Sequence, residues 1–115
     1  MPTISTHVLN SVDGSHAAGV KVDCLGYASS GSCTVLFSGL TDEGGRLTAD
    51  ISLPEARFDS IALEFHSGDY FAARGLGADA LVRSVQFRIQ LQPGDGHHHL
   101  PVIAAPHGCS AWWSP

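Results

Sequence analysis

The sequence predicts an all-β, two-sheet sandwich of eight strands with one short helix. Three observations carry that reading. Turn-forming clusters recur at short intervals, short runs rich in Val, Ile, Leu, Phe and Thr lie between them, and several runs alternate apolar with polar residues. A period of two places one row of side chains on each sheet face, the mark of a half-buried strand.

The turns fall at 12–15 (VDGS), 29–32 (SSGS), 42–45 (DEGG), 53–56 (LPEA) and 92–96 (QPGDG). They divide the chain into candidate strands at 4–11, 19–27, 33–40, 46–52, 58–65, 82–92, 98–105 and 108–113. The sixth alternates most clearly. Val85, Phe87, Ile89 and Leu91 oppose Ser84, Gln86, Arg88 and Gln90, which predicts a core row of four. One stretch, HSGDYFAARGLGA, breaks the strand pattern. Ser67 as N-cap, Asp69 in the first turn and Gly75 as a stop predict a helix over 67–75.

Composition narrows the function classes. Hydrophobic residues make up 43% of the 115 residues and charged residues 15%, the balance of a folded chain. The net charge of −5 and six scattered Lys and Arg argue against a nucleic-acid or anionic-membrane partner. No apolar run reaches the roughly 18 residues of a bilayer span, and MPTISTHVLN does not read as a secretory signal. Cys24, Cys33 and Cys109 are odd in number and lack C-x-x-C spacing. They predict free thiols in a cytoplasmic setting, with a peroxisomal one left open, and Cys24 as a small core residue.

The seven histidines raise the question of chemistry. Strand parity puts His97, His99, Pro101 and Ile103 on one face of the seventh strand, and His98, Leu100, Val102 and Ala104 on the other. The second set is apolar after His98, so His99 is expected to point outward. In the eighth run Ser110, Trp112 and Ser114 share a face, opposite Cys109, Ala111 and Trp113. The face of His7 is left open, because neither row of ISTHVLN is cleanly apolar. Solvated surface rings are one reading of these histidines. A second is a zinc site, with His97 and His99 as a His-x-His pair and a third ligand from His7 or His107. A third is metal-free acid/base chemistry, which suits a group titrating near neutrality. Spacing alone does not separate the last two.

Four blocks, ISTHVLNSVDGSHAAGVKV, TDEGGRLTADI, EFHSGDYFAARG and HHHLPVIAAPHGCS, resemble in order and spacing the signature blocks of the 5-hydroxyisourate hydrolase family, the enzymatic relatives of transthyretin. The resemblance spans nearly all of 1–115 and implies a single transthyretin-like domain. It implies a homotetramer with active sites in a channel between dimers, and no cofactor or metal. It also implies the family's hydrolysis of 5-hydroxyisourate in purine breakdown, a cyclic amide hydrolase reaction. By the same resemblance the catalytic positions fall on His7, Arg46 and His99.

The resemblance fails at positions 112–115. The family's Tyr-Arg-Gly-Ser tetrapeptide is matched here by Trp112, Trp113, Ser114 and Pro115, and two preceding aromatic positions by His107 and Cys109. Losing a guanidinium and a hydroxyl removes partners for a polar substrate, a loss worth roughly four to five powers of ten in favourable cases. Two indoles supply flat apolar surface instead. Expected substrate contacts are Ile103, Ser110, Trp112, Trp113 and Ser114. One further function follows from that departure: a recruited enzyme acting by hydrolysis, dehydration or cyclisation on a flatter, more apolar specialised-metabolism compound. The resemblance to transthyretin implies another, a non-catalytic ligand carrier, against which the retained catalytic His and Arg positions argue.

Overall fold

A computed structural model describes residues 2–51, 58–90 and 96–113. The strands are β1 (Thr3–Asn10), β2 (Lys21–Tyr27), β3 (Cys33–Leu40), β4 (Arg46–Asp50), β5 (Ser60–Phe65), β6 (Val85–Ile89), β7 (His97–Ala105) and β8 (Gly108–Ala111). The helix α1 (Ser67–Ala72) lies between β5 and β6. The strands form two four-stranded sheets, ordered β4-β1-β7-β8 and β3-β2-β5-β6. Only β1 and β7, among the described pairs, run parallel.

Alternation builds the core between the sheets. Ile4 and Val8 of β1 and Leu100, Val102 and Ala104 of β7 face Val22 and Cys24 of β2 and Ile61, Leu63 and Phe65 of β5. Phe71 and Tyr70 of α1 pack ring edge to ring face at 5.0 Å and join the same cluster. Burying a side chain the size of Phe65 or Phe71 contributes roughly 1.5–3 kcal/mol. Cys24 is a core residue as expected, and its burial pushes the thiol up to about 12.

Three expectations need correction. Val85, Phe87 and Ile89 are half-buried rather than fully buried, because β6 is the outer strand of its sheet. Phe87 and Ile89 still pack on the core, Phe87 meeting Phe65 edge-on at 5.9 Å. Leu91 lies outside the described residues. Ser67 does not cap α1. It is the first helical residue and is buried, the N-cap position being His66 without a side-chain bond. The helix also ends at Ala72, sooner than 75. Gly75 does stop it: at φ +74° it lets Leu76 N–H return to the Phe71 carbonyl at 2.9 Å.

Candidate active site

β1 and its two neighbours bring the three expected residues together. His7 lies opposite Arg46 in the antiparallel β1–β4 pair, and Ser5 lies opposite His99 in the parallel β1–β7 pair. Ile4, Thr6, Val8 and Asn10 take the buried side of β1, which leaves Ser5, His7 and Leu9 on its outer side. This settles the direction of His7. It shares with His99 and Arg46 the outer face of the β4-β1-β7-β8 sheet. The Thr6 hydroxyl donates to the Leu100 carbonyl at 2.7 Å from the buried side, fixing β1 against β7.

The expected parity of β7 holds. Leu100, Val102, Ala104 and His98 are buried, while His97 is exposed and His99 half-buried. The buried His98 Nε2 has no hydrogen-bond partner among the described residues. On the outer face, His97 Nε2 and His99 Nδ1 each lie 2.7 Å from the Ser5 hydroxyl. A hydroxyl has one proton, so it donates to one ring at most and accepts from the other. Ser5 therefore links the two rings into one hydrogen-bonded chain.

The TDEGGR segment presents Arg46. The Asp42 carboxylate accepts from the backbone N–H of Gly44 and of Arg46, both at 2.9 Å. Gly45 takes φ +73°, in the left-handed region, and an added Cβ would sit 2.5 Å from the Val8 carbonyl oxygen. Only glycine allows this turn to close so tightly on β1. The segment 15–17 folds over the same end. Asn10 N–H donates to the Ser15 carbonyl at 2.8 Å, Ala17 N–H to the Val8 carbonyl at 2.9 Å, and Leu9 bridges His16. His16 thus reaches His7, with His16 Nδ1 2.9 Å from His7 Nε2.

Both central rings are held below the ordinary histidine value of 6.5. For His7 the cause is first burial, then the Arg46 charge and the neighbouring His16. For His99 it is burial, then His97, then Arg46. Neutral rings at pH 7 can accept a proton, and the Arg46 guanidinium, whose charge acts on both, can hold developing negative charge.

The expected substrate contacts among the described residues divide between two recesses. Trp112 and Trp113 border one of about 330 Å³ at the side of the sandwich, with Phe87, Ile89, His98, His99 and Leu100. Ile103 and Ser110 border a second, of about 410 Å³, with His107 and Cys109. The pairing of Val102 with Ala111 places Ser110 opposite Ile103 on the outer face, as parity predicts. Trp112 N–H then reaches the Pro101 carbonyl at 3.4 Å. Both tryptophans are exposed, Trp112 at 49% and Trp113 at 59%. Ser114 and Pro115 lie outside the described residues.

Among the described residues, no three of the ligands in the alternative zinc reading, His7, His97, His99 and His107, bring donor atoms within 4.8 Å of one another. Among the described residues, the His, Asp and Glu side chains whose donor atoms lie within 4.8 Å of one another are Asp23, Glu64 and His66, on β2, β5 and the residue after β5. That group belongs to the other sheet, and its His66 Nε2 lies 2.8 Å from Asp23 Oδ2. Sequence reasoning missed Ser5 and His16. Ser5 was accessible from parity, since it shares a row with His7. His16 needed the reversal at 12–15 to be read as a tight return onto β1.

The chain is similar along nearly its whole length to known proteins. A family model described as HIUase/Transthyretin matches residues 4–113. The 5-hydroxyisourate hydrolase of Halalkalibacterium halodurans is 30% identical over 112 residues, covering 95% of this chain and 94% of the relative. The 5-hydroxyisourate hydrolase 2 of Rhizobium meliloti is 32% identical over 114 residues, covering 95% and 92%. The structure of Klebsiella pneumoniae 5-hydroxyisourate hydrolase superposes with a TM-score of 0.75 at 26% identity, covering both chains fully. Sea bream transthyretin in complex with thyroxine reaches 0.81 at 19% identity, covering 96% and 93%, a likeness of fold. By the span of the family match, its curated relatives and its sheet order, the chain belongs to the HIUase/Transthyretin family.

Proposed function

We propose that this protein is a metal-free hydrolase of a cyclic ureide, with 5-hydroxyisourate as its substrate. The observation that carries the reading is the gathering of His7, Arg46 and His99 on one sheet face, with both rings held below their ordinary value. The named activity of the relatives supports the substrate. In the proposed reaction one ring takes a proton from water and the hydroxide adds to a ring carbonyl carbon. Arg46 holds the oxyanion. When the carbonyl reforms, the C–N bond breaks and the departing nitrogen takes that proton back from the imidazolium. General acid–base action of this kind contributes about a hundred to ten-thousandfold.

The same reading includes a homotetramer working in the cytoplasm. The candidate residues lie on an open sheet face with Ile103 exposed beside them, and a second copy over that face would exclude water and strengthen the charge interactions.

Trp112 and Trp113 favour a second reading, in which the acid/base group is kept and the substrate is flatter and more apolar. They stand beside His99 around the recess of about 330 Å³. The deciding experiment follows decay of freshly generated hydroxyisourate by ultraviolet absorbance, with and without a strong chelator. A kcat of about 1–1,000 s⁻¹ is expected, unchanged by the chelator, with light scattering giving a tetramer. Decay no faster than the spontaneous rate refutes the first reading and leaves the second. Loss of activity on metal removal refutes the metal-free mechanism.

A further inference from the structure

We infer that protons enter and leave His7 through His16, so that His16 Nε2 is the atom that exchanges a proton with the substrate or its water at this end of the site. The inference rests on the acid/base reading given above and extends it to a residue outside the His7, Arg46 and His99 group.

The geometry of the pair is specific. The ring centres are 5.1 Å apart, the planes differ by 24°, and His7 Nε2 faces His16 Nδ1 at 2.9 Å. Rings stacked face to face would not bring two nitrogens that close at such a centre separation. The rings lie edge to edge and nearly coplanar, as an N–H···N hydrogen bond requires.

The Gly44 backbone beside His7 favours its protonated ring. A neutral imidazole has one donor and one acceptor. If Nδ1–H donates to Gly44, Nε2 must accept, and the proton between the rings belongs to His16 Nδ1. His7 is then left without a free nitrogen for substrate. The unprotonated atom of the pair is His16 Nε2, on an exposed ring.

The relay balances without any added reactant. His16 Nε2 takes a proton from water as the hydroxide adds to the carbonyl, and the His16 Nδ1 proton passes to His7 Nε2. The positive charge then rests on His7, where the Gly44 backbone favours it and the Arg46 charge opposes it. The reverse passage delivers a proton to the departing nitrogen. The charged and titratable groups acting on His7 are Arg46 from β4, His99 from β7 and His16 from the 15–17 segment. Backbone bonds hold that segment on β1 on both sides of residue 16, and the Asp13 carboxylate accepts from both the N–H and the hydroxyl of Ser15. The ring is therefore presented by an ordered turn.

His16→Ala and His16→Asn, compared with the unaltered protein, test the relay. Asparagine can still donate to His7 Nε2 but carries no second nitrogen to exchange a proton. Both variants are expected to lower kcat roughly a hundredfold with KM little changed, and added imidazole should restore His16→Ala but not His16→Asn. Nitrogen NMR of the unaltered protein should show His7 as the Nδ1–H tautomer, with the proton between the rings on His16 Nδ1. Wild-type kcat in His16→Asn, absence of imidazole rescue in His16→Ala, or an Nε2–H tautomer of His7 each overturns the relay. Should the unaltered protein fail to hydrolyse hydroxyisourate, the proposed reaction falls, and the tautomer alone decides the relay.

Discussion

Gly45 and Gly75 form a matched pair for testing how closely the turn before β4 is fitted to β1. Both take positive φ, +73° and +74°. At Gly75 an added Cβ meets nothing within 4 Å, so Gly75→Ala carries only the left-handed backbone penalty, roughly 1–2 kcal/mol. At Gly45 the same atom would sit 2.5 Å from the Val8 carbonyl oxygen and 3.1 Å from the Ala17 backbone nitrogen. Both neighbours are backbone groups of the ladder that places His7 and His16, and neither can rotate away. Forcing an extra carbon into a packed site typically adds about 1–3 kcal/mol, which brings Gly45→Ala to roughly 2–5 kcal/mol, a large part of the 5–15 kcal/mol typical of a domain. Urea unfolding at one fixed protein concentration measures the difference. Gly45→Ala should unfold at clearly lower urea than Gly75→Ala. It should also lose turnover, because the displaced turn carries Arg46. Equal destabilisation by the two substitutions would refute the claim that this turn is clamped against β1.

Three further substitutions probe the site and its surroundings. Arg46→Gln removes a charge that depresses both His7 and His99, so their values should rise towards 6.5. The acidic limb of the kcat/KM profile should then move to higher pH while kcat falls. A depressed histidine binds more protons unfolded than folded, so stability is retained above pH 6.5 and lost as pH falls through the window below it. That loss should be smaller in Arg46→Gln when pH-dependent unfolding is followed. Trp112→Ala should raise KM with kcat and oligomeric state little changed, and an unchanged KM would leave Trp112 without a role in substrate capture. His98→Phe replaces a buried ring whose Nε2 is unpartnered among the described residues. It should stabilise the fold by about 1 kcal/mol, whereas destabilisation in urea would mean that the nitrogen has a partner.

Much of the architecture was legible because alternation and turn chemistry are local. The parity of HHHLPVIAA separated the buried His98, Leu100, Val102 and Ala104 from the outward His97 and His99 without knowledge of any neighbour. The same rule overstated β6. Alternation reports which face is apolar, but the depth of burial depends on whether another strand lies beyond, and β6 has none in its sheet. It also misassigned Ser67, since cap chemistry in the sequence does not reveal that the side chain is buried beside Cys109. For His7, the row of Ile4, Thr6, Val8 and Asn10 looked mixed. Thr6 and Asn10 belong inside because their polar atoms are satisfied there, Thr6 by the Leu100 carbonyl and Asn10 by Tyr70 and the Val12 N–H. Those partners are 60 to 94 residues away for the two long-range bonds, beyond what a local pattern encodes.

The convergence of His7, Arg46 and His99 depends on strand order more than on any single motif. β1 sits between β4 and β7, so one central strand presents His7 beside Arg46 on one side and Ser5 beside His99 on the other. Arg46 lies 39 residues after His7, yet the antiparallel register makes them direct neighbours. His99 comes two positions along β7 from the residue opposite His7, a span of one pleat along the strand. Ser5 fills the floor of that span and ties His99 to His97, while His16 closes the far end against His7. The imidazoles thus form two hydrogen-bonded pairs, His7 with His16 directly and His99 with His97 through Ser5. Strand register makes the short stretch from Ser5 to His7 the frame on which the proposed acid/base group is built.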